Sequence, residues 1–127
     1  DQRHIRQCGD LWHAEQSVTA RLRRDADAVD AAAASFPPGS VTGAPKVQAM
    51  KVIHRLEPSP RGVYTGAIGW FADNGSAHLN VAIRTISVVD GHGRFHVGAG
   101  IVSDSDPQNE WNETIAKAQA LARILGA

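Results

Sequence analysis

The 127 residues include 13 basic and 13 acidic side chains, so no net charge favours nucleic acid or an anionic membrane as a partner. Hydrophobic residues make up 43% of the chain, as in globular domains, and no apolar run reaches the ~18 residues of a membrane span. The single cysteine, Cys8, excludes an internal disulfide and a cysteine-rich zinc site. Without a signal peptide, the protein is expected in the cytoplasm.

The first half of the chain contains helix signals between unpatterned segments. Residues 1–16 show no clear period and are interpreted as a tail or a severed connection, and the alternation over Val18–Leu22 predicts a short strand. Asp27 is predicted to cap an alanine-rich helix that ends at Ser35, before two prolines. After a loop of small residues, Pro45 and a three-residue apolar spacing predict a second helix over 45–57.

The second half changes to strand patterns and ends in a helix. Residues 63–72, 77–89 and 93–102 are rich in β-branched and aromatic side chains, and Asn-Gly and Asp-Gly turns separate them. They predict a three-stranded antiparallel meander. Asp106 and Pro107 predict the cap and first residue of a helix that runs to about Leu125. The fold class is therefore α+β, an antiparallel sheet with flanking helices.

The last predicted helix carries Glu110, Glu113 and Lys117 within an arc of about 60° at 100° per residue. Two carboxylates one turn apart can approach one hard cation, and magnesium takes one or two carboxylates together with water and substrate oxygens. A lysine one turn further can pair with a substrate carboxylate. The same spacing is also typical of a solvated face with a Glu113–Lys117 salt bridge, and the helix alone does not decide between the two.

Three other segments contain residue types that often occur at ligand-binding sites. Gly98–Gly100 closes a predicted strand almost without side chains, which indicates either a ligand close to the backbone or a bulge. The loop 39–46 leads into a helix N-terminus, which favours anions but equally fits a capping loop. Arg84 lies in an apolar strand beside a strand with Tyr64, so it needs a carboxylate partner from protein or ligand.

Four strings in this order resemble the C-terminal part of the chorismate-utilising enzymes, namely FPPGSVTGAPKVQAMKVIHRLEP, RGVYTGAIGW, VAIRT and GAGIVSDSDPQNEWNETIAKAQA. This family includes anthranilate synthase component I, aminodeoxychorismate synthase component I, isochorismate synthase and salicylate synthase. The string Gly39–Lys46 is most similar to aminodeoxychorismate synthase component I, because anthranilate synthases more often have Gly-Thr-Leu-Ser at residues 39–42. The resemblance implies that the chain is a C-terminal fragment of the family's α/β sandwich.

The resemblance also implies roles for individual residues. Glu110 and Glu113 match magnesium ligands that bridge the ion to the ring carboxylate of chorismate, and Lys117 matches the lysine that closes this end of the site. Arg84 and Tyr64 match residues that hold the enolpyruvyl carboxylate. His13 matches the histidine near the ring hydroxyl that leaves, and Ser40 stands beside the ring. The remaining implied substrate contacts are Thr42, Ile83, Gly98, Ala99 and Gly100.

The implied activity is the magnesium-dependent amination of chorismate at C4, with ammonia from a glutamine amidotransferase partner, toward para-aminobenzoate and folate. Residues 1–12 do not match the family, and 13–127 are assigned to the C-terminal part of a chorismate-binding domain. Since two carboxylates form only half of a magnesium site, the chain is expected to be inactive alone. It would then be a fragment of this enzyme, or of an anthranilate, isochorismate or salicylate synthase. A third hypothesis is a non-catalytic domain that self-associates as a homo-oligomer through its exposed sheet face.

Overall fold

A computed structural model describes residues 3–8 and 11–126, which form short β-hairpins and helices. The strands are β1 (His4–Cys8), β2 (Leu11–Glu15), β3 (Ala67–Phe71), β4 (Ala77–Val81), β5 (Ile86–Val89) and β6 (His92–Phe95). The helices are α1 (Ala28–Ser35), α2 (Gly39–Thr42), α3 (Lys46–Leu56) and α4 (Pro107–Leu125). This mixture of helices and small antiparallel sheets confirms the predicted α+β class.

The N-terminal segment is a hairpin, so its interpretation as a tail was wrong. β1 pairs with β2 in an antiparallel register that places Arg6 opposite His13. Arg6 and Glu15 form an ion pair of 3.2 Å near one end of this hairpin. Both faces of the two strands carry polar side chains, which hides the period-two pattern on which sequence reasoning depends. The strand predicted over 18–22 is absent, and Val18 is 83% exposed there.

The predicted meander is divided into two separate hairpins, β3–β4 and β5–β6. Pairing continues past the end of β4 through Thr65 and Ala82, whose backbone N–H and carbonyl are 2.8 Å apart. It stops at Arg84, which adopts a left-handed φ of 51°. The backbone leaves the extended conformation at Arg84, and the long predicted strand 77–89 is interrupted between Val81 and Ile86. The turn before β6 fits the prediction, because Asp90 and Gly91 both have positive φ.

Local capping signals predicted the helices well. The Asp27 carboxylate accepts the backbone N–H groups of Val29 and Asp30, which completes a capping box on α1. On α4, Asp106 accepts the N–H of Asn109 at 2.9 Å, and Pro107 is the first helical residue. Two details differ from the prediction. Pro45 is the N-cap of α3 instead of its first residue, and residues 39–42 form one helical turn instead of a loop.

Few side chains are fully buried. Ala82, Leu121 and Thr65 are 1%, 8% and 5% exposed. By contrast, at least half of each of four large aromatic side chains is exposed, namely Trp12, Trp70, Phe71 and Trp111. Apolar surface of this extent is more than an isolated domain usually presents. Among the helices of residues 3–8 and 11–126, none is long and apolar enough to cross a membrane.

Candidate functional site

The polar face of α4 is held to the segment after β6. Lys117 forms an ion pair with Glu113, one turn earlier on the helix, and its Nζ donates a hydrogen bond to the Gly98 carbonyl at 3.2 Å. Glu110 lies a further turn back and accepts a hydrogen bond from the Ser105 hydroxyl at 2.6 Å. The Glu113–Lys117 pair expected for a solvated face is therefore present, but the lysine also reaches a neighbouring backbone.

Tyr64 joins the same cluster from the other side of Gly98. Its ring stacks on the His96 ring with centroids 5.5 Å apart. A Cβ atom added to Gly98 would lie 3.1 Å from the Tyr64 hydroxyl, so the absence of a side chain permits this approach. Tyr64 lies in the turn before β3, and Gly98 follows β6 in a segment without strand pairing. Both were predicted to lie in strands, and these two placements were wrong.

Other predicted substrate contacts are not joined to this cluster. Arg84 is exposed at a bend and, within residues 3–8 and 11–126, makes no hydrogen bond or ion pair through its side chain. Ile83 beside it is 48% exposed. Ser40 is exposed on α2, and the Thr42 hydroxyl donates to the Pro38 carbonyl at 2.9 Å. The side chain of His13 lies outside what the structure describes.

A network around Arg61 was missed by the sequence analysis. Its guanidinium contacts Glu57 through Nε and Nη2, with a shortest distance of 2.6 Å, and its Nη1 donates to the Val41 carbonyl and the Thr65 hydroxyl. The hydrogen bonds between Arg61 and Glu57 lower the pKa of Glu57 and raise the pKa of Arg61, although burial opposes both shifts. The four-residue spacing of Glu57 and Arg61 is typical of an ion pair on a helix. Two prolines lie between these residues and end the helix, so the spacing did not predict the pair.

A cavity of about 520 Å³ lies between α3 and the segment 57–66. Its lining includes Thr42, Arg61 and Tyr64, together with apolar residues of α3. The two α4 carboxylates and Lys117 do not line it. The α4 cluster and this cavity therefore meet at Tyr64, and we assign the candidate site by its side chains instead of by the cavity.

The donor atoms of α4 fit magnesium. Glu110 and Glu113 offer hard anionic oxygens one turn apart, as this ion requires. No group of three or more His, Cys, Asp and Glu side chains able to hold a metal occurs among the residues that the structure describes. From this chain, a magnesium ion would receive these two carboxylates.

We expect acid to destabilise the fold partly through Glu57. Its pKa is lowered in the folded state, so its contribution to the free energy of unfolding is complete above the ordinary glutamate value of 4.5 and disappears as the pH falls through the lower folded pKa. Glu57→Gln should lower the free energy of unfolding by about 1–2 kcal/mol at neutral pH, a cost that is limited because the ion pair is partly exposed. Because the variant lacks the titrating carboxylate, its free energy of unfolding should fall less than that of the wild-type chain as the pH decreases. Urea unfolding across this pH range measures both effects.

The variant should retain some acid sensitivity, because hydrogen bonds from the backbone of Asp30 and Val29 also lower the pKa of Asp27. Glu15→Gln is the matched control, since its ion pair with Arg6 is 57% exposed on the carboxylate side. Equal acid sensitivity of Glu57→Gln and the wild-type chain would contradict the assignment.

Comparison with known proteins bears on the family to which the chain belongs. The sequence profile of the chorismate binding enzymes matches residues 1–123. The division of the chain at residue 13 stays a prediction. An aminodeoxychorismate synthase of Streptomyces griseus is 50% identical over 86% of this chain and 15% of its own length. An anthranilate synthase component 1 of Streptomyces coelicolor is 45% identical over 87% of this chain and 22% of its own.

The same likeness is found in three dimensions. The structure of a Bacillus anthracis protein described as a 2,3-dihydroxybenzoate-specific isochorismate synthase superposes with a TM-score of 0.79 and 30% identity. The alignment covers 98% of this chain and 33% of that protein. The chain spans less than a quarter of the two curated relatives. Because the family profile covers nearly all of its residues, the chain belongs to the chorismate binding enzymes.

Proposed function

We propose that this chain provides one wall of a site for chorismate, and that the α4 cluster is the part that meets the ring carboxylate. The observation that carries the proposal is the contact of Lys117 with both Glu113 and the Gly98 carbonyl. Through it, a cation and the Glu113 carboxylate lie beside Gly98, and Glu110 lies one turn earlier on the same helix. A dianion held by a magnesium ion and a lysine needs this combination of charges.

In this proposal Glu110 and Glu113 hold magnesium, which would act as a Lewis acid on the ring carboxylate. The Ser105 hydroxyl contacts one oxygen of Glu110 and so restrains how that carboxylate can turn. Lys117, which pairs with Glu113 in the structure, would pair with a carboxylate of the substrate. Because Lys117 lies one turn after Glu113 on α4, its side chain can reach either the Glu113 carboxylate or the substrate.

The other end of chorismate would be held by the predicted residues outside α4. Tyr64 offers its hydroxyl beside Gly98, and Arg84 would reach the enolpyruvyl carboxylate through a change of its exposed side chain. We further propose the roles predicted for Ser40, Thr42 and Ile83 beside the ring, and for His13 near the hydroxyl that leaves. The backbone of Gly98, Ala99 and Gly100 would line the site. Fixing both carboxylates in this way would direct substitution to one ring carbon.

For the whole enzyme we propose aminodeoxychorismate synthesis, in which ammonia from a glutamine amidotransferase replaces the C4 hydroxyl of chorismate. The support is Ser40 and Thr42 in the segment 39–46, together with the similarity to the Streptomyces griseus relative. Anthranilate synthesis is the second candidate, supported by the 45% identical relative of that kind. We also propose a cytoplasmic location, and self-association through the exposed apolar residues of β3, such as Trp70 and Phe71.

Binding of chorismate can be followed at Tyr64, because it is the single tyrosine of the chain. With ring-labelled tyrosine, chorismate and magnesium are expected to move its NMR signal in a saturable manner. Lys117→Met should weaken this binding about tenfold, the equivalent of one lost charged contact. Binding, not turnover, is the measured quantity because the chain spans only part of its relatives.

Lys51→Met removes an exposed lysine of α3 and should leave the titration unchanged. Benzoate, with one carboxylate, should bind more weakly than chorismate. A signal that chorismate does not move, or moves equally in Lys117→Met and the wild-type chain, would refute the proposed site.

A further inference from the structure

Arg61 occupies the junction of four chain segments. Its side chain is 21% exposed, and that of Glu57, its ion-pair partner, is 36% exposed. The Glu57 carboxylate lies at the end of α3, the Val41 carbonyl lies in α2, and Thr65 precedes β3. Since Thr65 is 5% exposed and its N–H bonds to the Ala82 carbonyl, the guanidinium is connected to the β3–β4 hairpin as well.

The hydrogen-bonding capacity of Arg61 is almost fully used by the protein. A guanidinium has five N–H donors. Nε–H and one N–H of Nη2 meet Glu57, while Nη1 meets Val41 and Thr65. An arginine that holds a substrate carboxylate presents a free pair of donors to it. Arg61 therefore has a different task from Arg84, although both are close to predicted substrate residues in sequence.

The cation also lies over the ring of Tyr64. Its Cζ is 5.7 Å from the ring centroid, within the range of a cation–π contact. The other contacts of that ring are the stack on His96 and the approach of its hydroxyl to Gly98. Gly98 in turn accepts the hydrogen bond from Lys117. A continuous series of contacts thus runs from Glu57 through Arg61 and Tyr64 to the α4 cluster.

We propose that Arg61 is a positioning residue, which with Glu57 fixes the Tyr64 ring so that its hydroxyl lies against Gly98. The inference rests on the proposed function, in which Tyr64 contacts chorismate, and assigns the orientation of that contact to a residue that does not itself touch the substrate. The rigid fork of the guanidinium is essential to this role, because its separate N–H groups meet a carboxylate, a carbonyl and a hydroxyl at once. A lysine has the charge but cannot reach all three acceptors.

The experiment compares the ring signal of Tyr64 in the wild-type chain and in Arg61→Lys, without ligand. In Arg61→Lys we expect the chemical shift of the Tyr64 ring to move most of the way to its value in the unfolded chain. The chemical shifts of α4 should not change. Arg55→Lys is the matched control, because Arg55 makes a single 3.3 Å bond to the Lys51 carbonyl on the exposed side of α3. It should leave the Tyr64 signal in place. Glu57→Gln retains the guanidinium and should give a smaller displacement of the same sign.

An unmoved Tyr64 signal in folded Arg61→Lys would overturn the inference. So would global unfolding of both Arg61→Lys and Glu57→Gln, because the pair would then maintain the fold as a whole instead of one ring. The chorismate titration separates this test from that of the proposed function. If chorismate fails to move the wild-type signal, the proposed function fails, whereas the ligand-free comparison still decides the role of Arg61.

Discussion

The double variant Glu110→Gln/Glu113→Gln is expected to lose the whole of the rise in unfolding temperature that magnesium should produce in the wild-type chain. An amide lacks the anionic oxygen that a hard cation requires, and α4 supplies two such oxygens one turn apart. An ion present at about 100-fold its Kd would stabilise the fold by about 2.7 kcal/mol. Thermal unfolding with and without magnesium measures this gain, and calorimetric titration measures the affinity directly.

The structure offers a control with the same change of charge. Asp73 and Asp90 lie in the turns of the β3–β4 and β5–β6 hairpins, and both are exposed. Their replacement by asparagine also removes two carboxylates, and asparagine tolerates the positive φ of residue 90. Magnesium should stabilise this variant as it does the wild-type chain. An equal gain in Glu110→Gln/Glu113→Gln would exclude these glutamates as ligands.

Helices were predictable because their signals are local. The carboxylates of Asp27 and Asp106 each cap a helix within three residues of their own position, so nothing beyond the neighbouring sequence is needed. The strands depended on more distant partners. The run 77–89 contains no proline or glycine, and its interruption at Arg84 follows from the backbone conformation of that residue, for which the composition gives no signal.

The candidate site was predictable to a similar degree. The helical period placed Glu110, Glu113 and Lys117 on one face, and the Glu113–Lys117 pair is present. The family membership was also reached from motifs in the sequence. Which segments contact that face is a tertiary property, and the bond from Lys117 to Gly98 spans 19 residues.

The role of Arg61 shows why contacts of this kind escape sequence reasoning. Its bonds reach Glu57 across two prolines and Val41 across 20 residues. An arginine after Ser-Pro has the appearance of an exposed surface residue, and its residue type does not distinguish it from Arg55, which is exposed on α3. Only the convergence of α2, α3 and the segment before β3 gives this guanidinium its acceptors.

Gly69→Ala is expected to destabilise the chain by about 3 kcal/mol, the upper end of the cost of overpacking a close contact. A Cβ atom there would overlap the His78 carbonyl oxygen and lie 2.8 Å from the Leu79 Cα, both backbone atoms of the paired strand β4. Backbone cannot turn aside as a side chain does, so β3 and β4 must separate. Urea unfolding measures the loss.

The same change should reach the candidate site, because the pairing of β3 with β4 continues through Thr65 and Ala82 to the residue after Tyr64. We therefore expect the Tyr64 signal to move in Gly69→Ala, even where the chain stays folded. Gly39→Ala is the control, since a Cβ at Gly39 meets no atom within 4 Å among the described residues and should change stability by less than about 0.5 kcal/mol. Equal stability of the two variants would show that β3 and β4 do not approach as closely at Gly69 as the structure places them.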